Sequence, residues 1–198
     1  MEKDKKEVHA EYERRHAFWS GQALSQPGYS QNLFFTINLG FLAYLISERK
    51  KYSMLHFALT EAIDLKLVLY FSVLTLVFVS LIIGASSLIS RLYDLRITRF
   101  IVWVRKRAYK KYAKLLSDSY IDFSDKSTVV NFVKAVFCEI NFTKEKDFDD
   151  WNSLETNFNS LRVQQKLLGQ FTWATHKFHI ILILCAALLY SISTIFGW

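Results

Sequence analysis

Apolar and polar positions fall along this chain in long blocks rather than in short alternations. The longest block, LVLYFSVLTLVFVSLIIGASSLIS at 67–90, runs for twenty-four residues without a charge or a proline. A helix of that length reaches about 36 Å, enough to cross a hydrocarbon core of roughly 30 Å. The block predicts a transmembrane helix. A second block, FHIILILCAALLYSISTIFGW at 178–198, contains no Asp, Glu, Lys or Arg and predicts another. A third lies in 27–47, where NLFFTINLGFLAYLIS is apolar over a shorter stretch and crosses only if 28–31 enter as well. The fold class expected is all-α: a helical integral membrane protein with three transmembrane helices and a helical cytosolic region.

Small and polar residues inside these blocks recur at helical spacing. In 27–47 they are Gly28, Asn32, Thr36, Gly40, Ala43 and Ser47, with Asn38 off the stripe; in 67–90 they are Ser72, Ser80, Gly84 and Ser87; in 178–198 they are Ala187, Ser191 and Thr194. Such stripes let helices approach closely in lipid, where hydrogen bonds and backbone contact replace the hydrophobic drive, and in an oligomer they can line a pore. Helix packing is the simpler expectation.

The polar blocks complete the organisation. Residues 1–26 read as a lead-in helix, with Val8, Tyr12, Arg15 and Trp19 on one face, which Pro27 is expected to end because it cannot donate a backbone hydrogen bond. Residues 27–90 form a transmembrane hairpin, 91–176 a cytosolic helical region and 178–198 a C-terminal span. Within 91–176, Leu92, Leu95, Val102, Tyr109, Tyr112 and Leu116 suggest an apolar stripe. Ser127 is placed to cap a short helix, TVVNFVKAVFCEI, whose continuous apolar character predicts burial. After a charged loop, Trp151, Leu154, Phe158, Leu161 and Leu168 recur at spacings that predict a helix packed along the basic one.

Charge supplies direction. Between 91 and 116 stand nine basic residues, including Arg91, Arg96, Arg99, Arg105, Lys106, Arg107, Lys110 and Lys111, against the single acid Asp94. By the positive-inside rule this segment is cytosolic, which places the N-terminus in the cytosol and the C-terminus outside, in a multi-pass protein of the bacterial inner membrane. The N-terminus has no apolar stretch that could act as a signal-peptide core. These cations are read as membrane-surface and coupling residues, since each contributes about 1 kcal/mol near anionic lipid. Nucleic acid is the alternative and less favoured partner for them. The partners expected are the lipid bilayer, further copies of the chain and a cytosolic protein.

Chemistry is sparse. Nucleophile elbows, phosphate-cradling glycine loops and zinc-protease helices are missing, so no enzyme activity, catalytic residue or cofactor is expected. No charged residue lies inside a predicted span, which disfavours ion-coupled carriers. His176 and His179 stand one turn apart without a carboxylate or thiol to join them, and Cys138 and Cys185 fall in different environments, so neither a metal nor a disulfide is expected.

YERRHAFW at 12–19, a hairpin of two spans, and SRLYDLRITR at 90–99 opening a cytosolic helix together resemble the SLATT-type membrane proteins, over residues 12–116. The third span departs from the two-span layout of that family. The resemblance implies an effector of bacterial antiphage defence that oligomerises and perturbs or perforates the inner membrane when a cytosolic partner or signal triggers it. A non-catalytic membrane anchor that recruits a soluble defence enzyme is the alternative.

Overall fold

The computed structural model describes residues 2–51, 65–114, 116, 126–138, 140 and 142–195, and within the first 27 residues it describes side chains only at Arg14 and Ser25. Every regular element among the described residues is helical: α1 (Glu2–Glu48), α2 (Leu65–Tyr112), α3 (Thr128–Phe137) and α4 (Trp151–Ile195), with short 3-10 turns at Arg49–Lys51 and Glu145–Asp149. Two of these helices, α2 and α4, are long and apolar enough to cross a membrane. The face expected for Val8, Tyr12, Arg15 and Trp19, most of the 48–66 connection, and Trp198 lie outside the described residues.

Helix α1 does not end at Pro27. It runs without a break from Glu2 to Glu48. A proline in a helix interior forfeits one backbone bond, at roughly 3 kcal/mol, and the turns on either side of 27 carry the helix past that loss. Helix α2 stops at Tyr112, because Ala113 turns into the left-handed region (φ 51°) and sends its N–H back to the Tyr109 carbonyl oxygen at 2.9 Å.

The chain divides into two units, Met1–Leu81 with Cys185–Trp198, and Ile82–Leu184. In the first, Leu45, Val73, Val77 and Ala186 form a buried core flanked by Phe41, Leu42 and Tyr190. Polar groups are turned inward here. Asn38 is fully buried and its Nδ2 donates to the Val77 carbonyl oxygen at 3.5 Å, Tyr70 donates its hydroxyl to the Leu45 carbonyl oxygen at 2.9 Å, and the Tyr44 and Tyr190 hydroxyls lie 2.8 Å apart. Large apolar side chains of the same unit, Leu33, Ile37, Ile46, Phe78 and Leu188 among them, are exposed. On α4 the packed residues are Ala186 and Ser193, and the expected face Ser191 and Thr194 points outward. Those hydroxyls donate to the carbonyls one turn back, at Ala187 (2.8 Å) and Tyr190 (2.9 Å), so they need no neighbour.

The second unit is built on α2 and α4 lying antiparallel. Its apolar core joins Ile97, Ile101, Val104 and Ala108 of α2 to Leu154, Phe158, Leu161 and Leu168 of α4, closed by Leu116 and Phe148. The α4 stripe is the one its spacing suggests. The stripe expected over 91–116 holds only at its end, where Tyr112 and Leu116 join the core: Leu92, Leu95, Val102 and Tyr109 are exposed, and α2 packs through the opposite face. Both faces of α2 carry apolar residues, but Arg96, Arg99, Lys106 and Lys110 interleave the first, and burying that face would strip their charges of water. Helix α3 is also corrected. Ser127 caps it as expected, accepting from the Val130 N–H at 3.4 Å, yet none of its residues is buried.

Candidate functional site

Above that core, the same helix pair changes its adhesive. From Gly84 to Thr98 on α2 and from Gln165 to His179 on α4, the contact is a seam of small and polar side chains. Ser87 donates to the Thr172 carbonyl oxygen at 3.1 Å, and Ser90 donates to the Leu168 carbonyl oxygen at 3.1 Å while accepting from the Thr172 hydroxyl at 3.0 Å. Helical carbonyls already hold one bond, and their second lone pair takes the serine. At Gly84 the neighbouring helix fills the space a side chain would take, since a Cβ there would stand 2.7 Å from His179 Cε1 and 2.8 Å from its Nδ1. His179 is 1% exposed, so its ring fills the notch that glycine leaves.

At the end of the seam nearer the apolar core, Gln165 Nε2 donates to Thr98 Oγ1 at 2.6 Å, and Thr98 in turn donates to Asp94 Oδ1 at 3.5 Å. Burial pushes the Asp94 carboxyl above its usual range, partly offset by the Thr98 hydroxyl and the Arg91 charge, which hold it down. This raised acid, walled by polar hydrogen bonds and by Gly169, is a perturbed carboxylate of the interhelical contact. Its geometry offers a charge-sensitive brace between two helices.

The other expected residues divide cleanly. Ser80, Gly84 and Ser87 are buried, but Ser72 is exposed and donates to the Val68 carbonyl oxygen at 2.8 Å. In α1, Asn32, Thr36, Gly40 and Ser47 are all exposed, and a Cβ on Gly40 would meet nothing within 4 Å. Only Asn38 of that set turns inward. Among the cations, Arg96, Arg99, Lys106 and Lys110 are exposed, whereas Arg105 lies half-buried over the Phe158 ring at 5.3 Å.

Sequence reasoning missed the turn at Glu145–Asp149. It clamps the basic end of α2, pairing Arg107 with Glu145 and Lys111 with Asp149, each at 2.9 Å, and receiving the Tyr112 hydroxyl on the Phe148 carbonyl oxygen. The acids that pair with Arg107 and Lys111 thus come from this turn. A signal was present: Asp147 accepts from the Lys144 N–H at 2.7 Å, a local cap legible in KEKDFDD, which drives Phe148 inward beneath the Arg107 guanidinium at 4.8 Å. Among the described residues no group of three His, Cys, Asp or Glu is arranged to hold a metal. No family model matches the chain, and neither a curated protein nor a solved structure matches it.

Proposed function

We propose that this chain is a multi-pass inner-membrane effector of bacterial antiphage defence, one that oligomerises and perturbs or perforates the bilayer when a cytosolic partner or signal acts on its lower helices. The observation that carries the reading is the α2–α4 pair. Two helices long enough to cross a membrane are joined by a polar seam at one level and an apolar core at the next. That order matches a pair leaving lipid for water, because hydrogen bonds and close backbone contact hold helices in hydrocarbon while apolar burial holds them in water.

Several features support membrane residence. Only 39% and 22% of the most apolar windows of α2 and α4 are buried, where the core helix of a soluble protein would be covered. The N-terminal unit hides Asn38 and Ser80 and shows Leu33, Phe78 and Leu188, the reverse of a water-soluble arrangement. The nine cations of 91–116 favour a cytosolic position for that segment. In this reading 27–47 is a third span, and its outward stripe, Asn32, Thr36, Gly40 and Ser47, faces other copies of the chain. No residue is given a catalytic role.

The test is dye retention. Purified protein reconstituted into carboxyfluorescein-loaded liposomes releases dye either on its own or when the seam is loosened by the Ser90→Ala/Thr172→Ala double variant. Vesicles that stay tight with both proteins, at matched incorporation, refute a membrane-perturbing role.

A further inference from the structure

Helix α3 has the wrong surroundings for its sequence. TVVNFVKAVF is amphipathic, with Thr128, Asn131 and Lys134 sharing one face at i, i+3 and i+6 and a wide apolar face on the rest of the helix, which ordinarily has to be covered. Here one side alone is covered. Phe132 stacks on Phe171 of α4 (centroids 4.3 Å apart, planes at 13°), and Asn131 Nδ2 donates to the Gln164 carbonyl oxygen at 3.3 Å. On the other side Val129, Val130, Val133 and Phe137 are 57%, 52%, 46% and 82% exposed. Nothing among the described residues covers them.

The depth of α3 follows from hydrogen bonds. The uncharged run of α2 ends at Ser90, and Ser90 is bonded to the Leu168 carbonyl of α4. On α4, therefore, the passage from hydrocarbon to water falls in a band between Leu168 and Phe178, where its own uncharged run begins. The two attachment points of α3, Phe171 and Gln164, straddle the cytosolic edge of that band, about 4.5 Å inside it and about 6 Å outside it at 1.5 Å per residue. A headgroup layer is roughly 5–7 Å deep. Helix α3 thus stands at headgroup level, where the apolar medium within reach is the acyl boundary of the cytosolic leaflet.

Charge agrees with that placement. Lys126 and Lys134 flank the exposed face of α3. Arg96 lies over the Phe142 ring at 5.2 Å and lines two adjoining grooves, one walled by Ala135 of α3 and one of about 450 Å³ shared with Arg99, Phe100 and Trp103. Two guanidinium groups beside aromatic walls suit a phosphate that carries an apolar tail.

We propose that α3 is a foot lying in the cytosolic interface of the bilayer, its Val129, Val133 and Phe137 face among acyl chains, with Arg96 and Arg99 holding the phosphate of an anionic phospholipid. This rests on the membrane reading above. The test separates the two. Nitroxide labels at Val133→Cys and Phe137→Cys, and at Phe78→Cys and Leu188→Cys as span controls, are placed in a Cys138→Ser/Cys185→Ser background. In nanodiscs of phosphatidylcholine with phosphatidylglycerol, collision with dissolved oxygen, which enters lipid, is compared with collision with a water-soluble nickel chelate. All four labels are expected to favour oxygen. With about fivefold per basic side chain near an anionic surface, Arg96→Ala/Arg99→Ala lowers the preference for anionic over neutral discs by up to about thirtyfold. Chelate contact at 133 and 137 alone, with oxygen contact at 78 and 188, overturns the foot and leaves the spans standing. Shielding of 133 and 137 from both reagents overturns it in favour of a protein neighbour, and chelate contact at all four sites removes the membrane reading itself. An unchanged lipid preference in the double variant overturns the role of the arginines.

Discussion

Gly84 and His179 give the sharpest test of the seam. An added methyl at Gly84→Ala would sit 2.7 Å from His179 Cε1, 2.8 Å from Nδ1 and 3.0 Å from Nε2, closer than van der Waals contact allows on the whole outer edge of the ring. The ring is 1% exposed and cannot swing aside without moving its neighbours. Overpacking of this kind costs about 1–3 kcal/mol, while alanine is favoured over glycine in a helix by about 1 kcal/mol. The single substitution is therefore expected to destabilise by about 0–2 kcal/mol, too broad a range to decide anything alone. The cycle decides it. His179→Ala leaves a buried hole, and in the double variant the methyl of residue 84 grows into that hole, so the two losses are expected to fall short of their sum by about 1–3 kcal/mol. The assay is loss of helical circular dichroism as sodium dodecyl sulfate is titrated into protein held in a mild detergent. Additivity within about 0.5 kcal/mol would refute the close approach of α2 and α4 at this level.

Two further outcomes are expected. Phe148→Ala, removing a ring 2% exposed beneath Arg107, is expected to cost about 3–5 kcal/mol and to speed amide exchange over 100–112, whereas Glu145→Ala, which breaks an exposed ion pair, costs under about 1 kcal/mol and less in high salt. Asp94 holds its proton to higher pH in the folded chain than its ordinary 3.8, so its contribution to stability is intact below that value and is lost as pH rises through the raised one. Asp94→Asn is accordingly expected to stabilise the protein near neutral pH and to lose that advantage toward about pH 4, read from unfolding midpoints across the range.

What the sequence revealed and what it hid follow from how each side chain can be satisfied. The α4 stripe from Leu154 to Leu168 was readable because polar residues on the other faces leave one choice. The buried face of Ser80, Gly84 and Ser87 was readable for a similar reason. Spacing alone misled at Ser72, Ser191 and Thr194, which look adhesive but donate to carbonyls of their own helix. Asn38 has an amide too large for that escape, and it reaches the Val77 carbonyl of another helix. For α2 and α3 the pattern was ambiguous in principle. Helix α2 offers two apolar faces, and the buried one is set by where the cations can stay wet. Helix α3 offers an apolar face wider than α4 covers, so its sequence says that this face must be covered without saying by what.

The order of adhesives along α2 and α4 also sets where the pair yields. Ile97, Ile101, Val104, Leu154, Phe158 and Leu161 each gain about 1.5–3 kcal/mol by burial from water, so the half of the pair around this core, cytosolic in the proposed arrangement, is held by on the order of 10 kcal/mol. Interhelical hydrogen bonds in lipid average only about 0.6 kcal/mol, because the separated helix finds other partners. The bonds of Ser87, Ser90 and Thr172 thus amount to about 2 kcal/mol. In the proposed effector, a force applied through the clamp at Glu145–Asp149 moves a well-held pair as one body and meets its weakest joint at Ser90. A trigger worth a few kcal/mol, the size of an ordinary protein contact, is enough to open the seam while leaving the core closed.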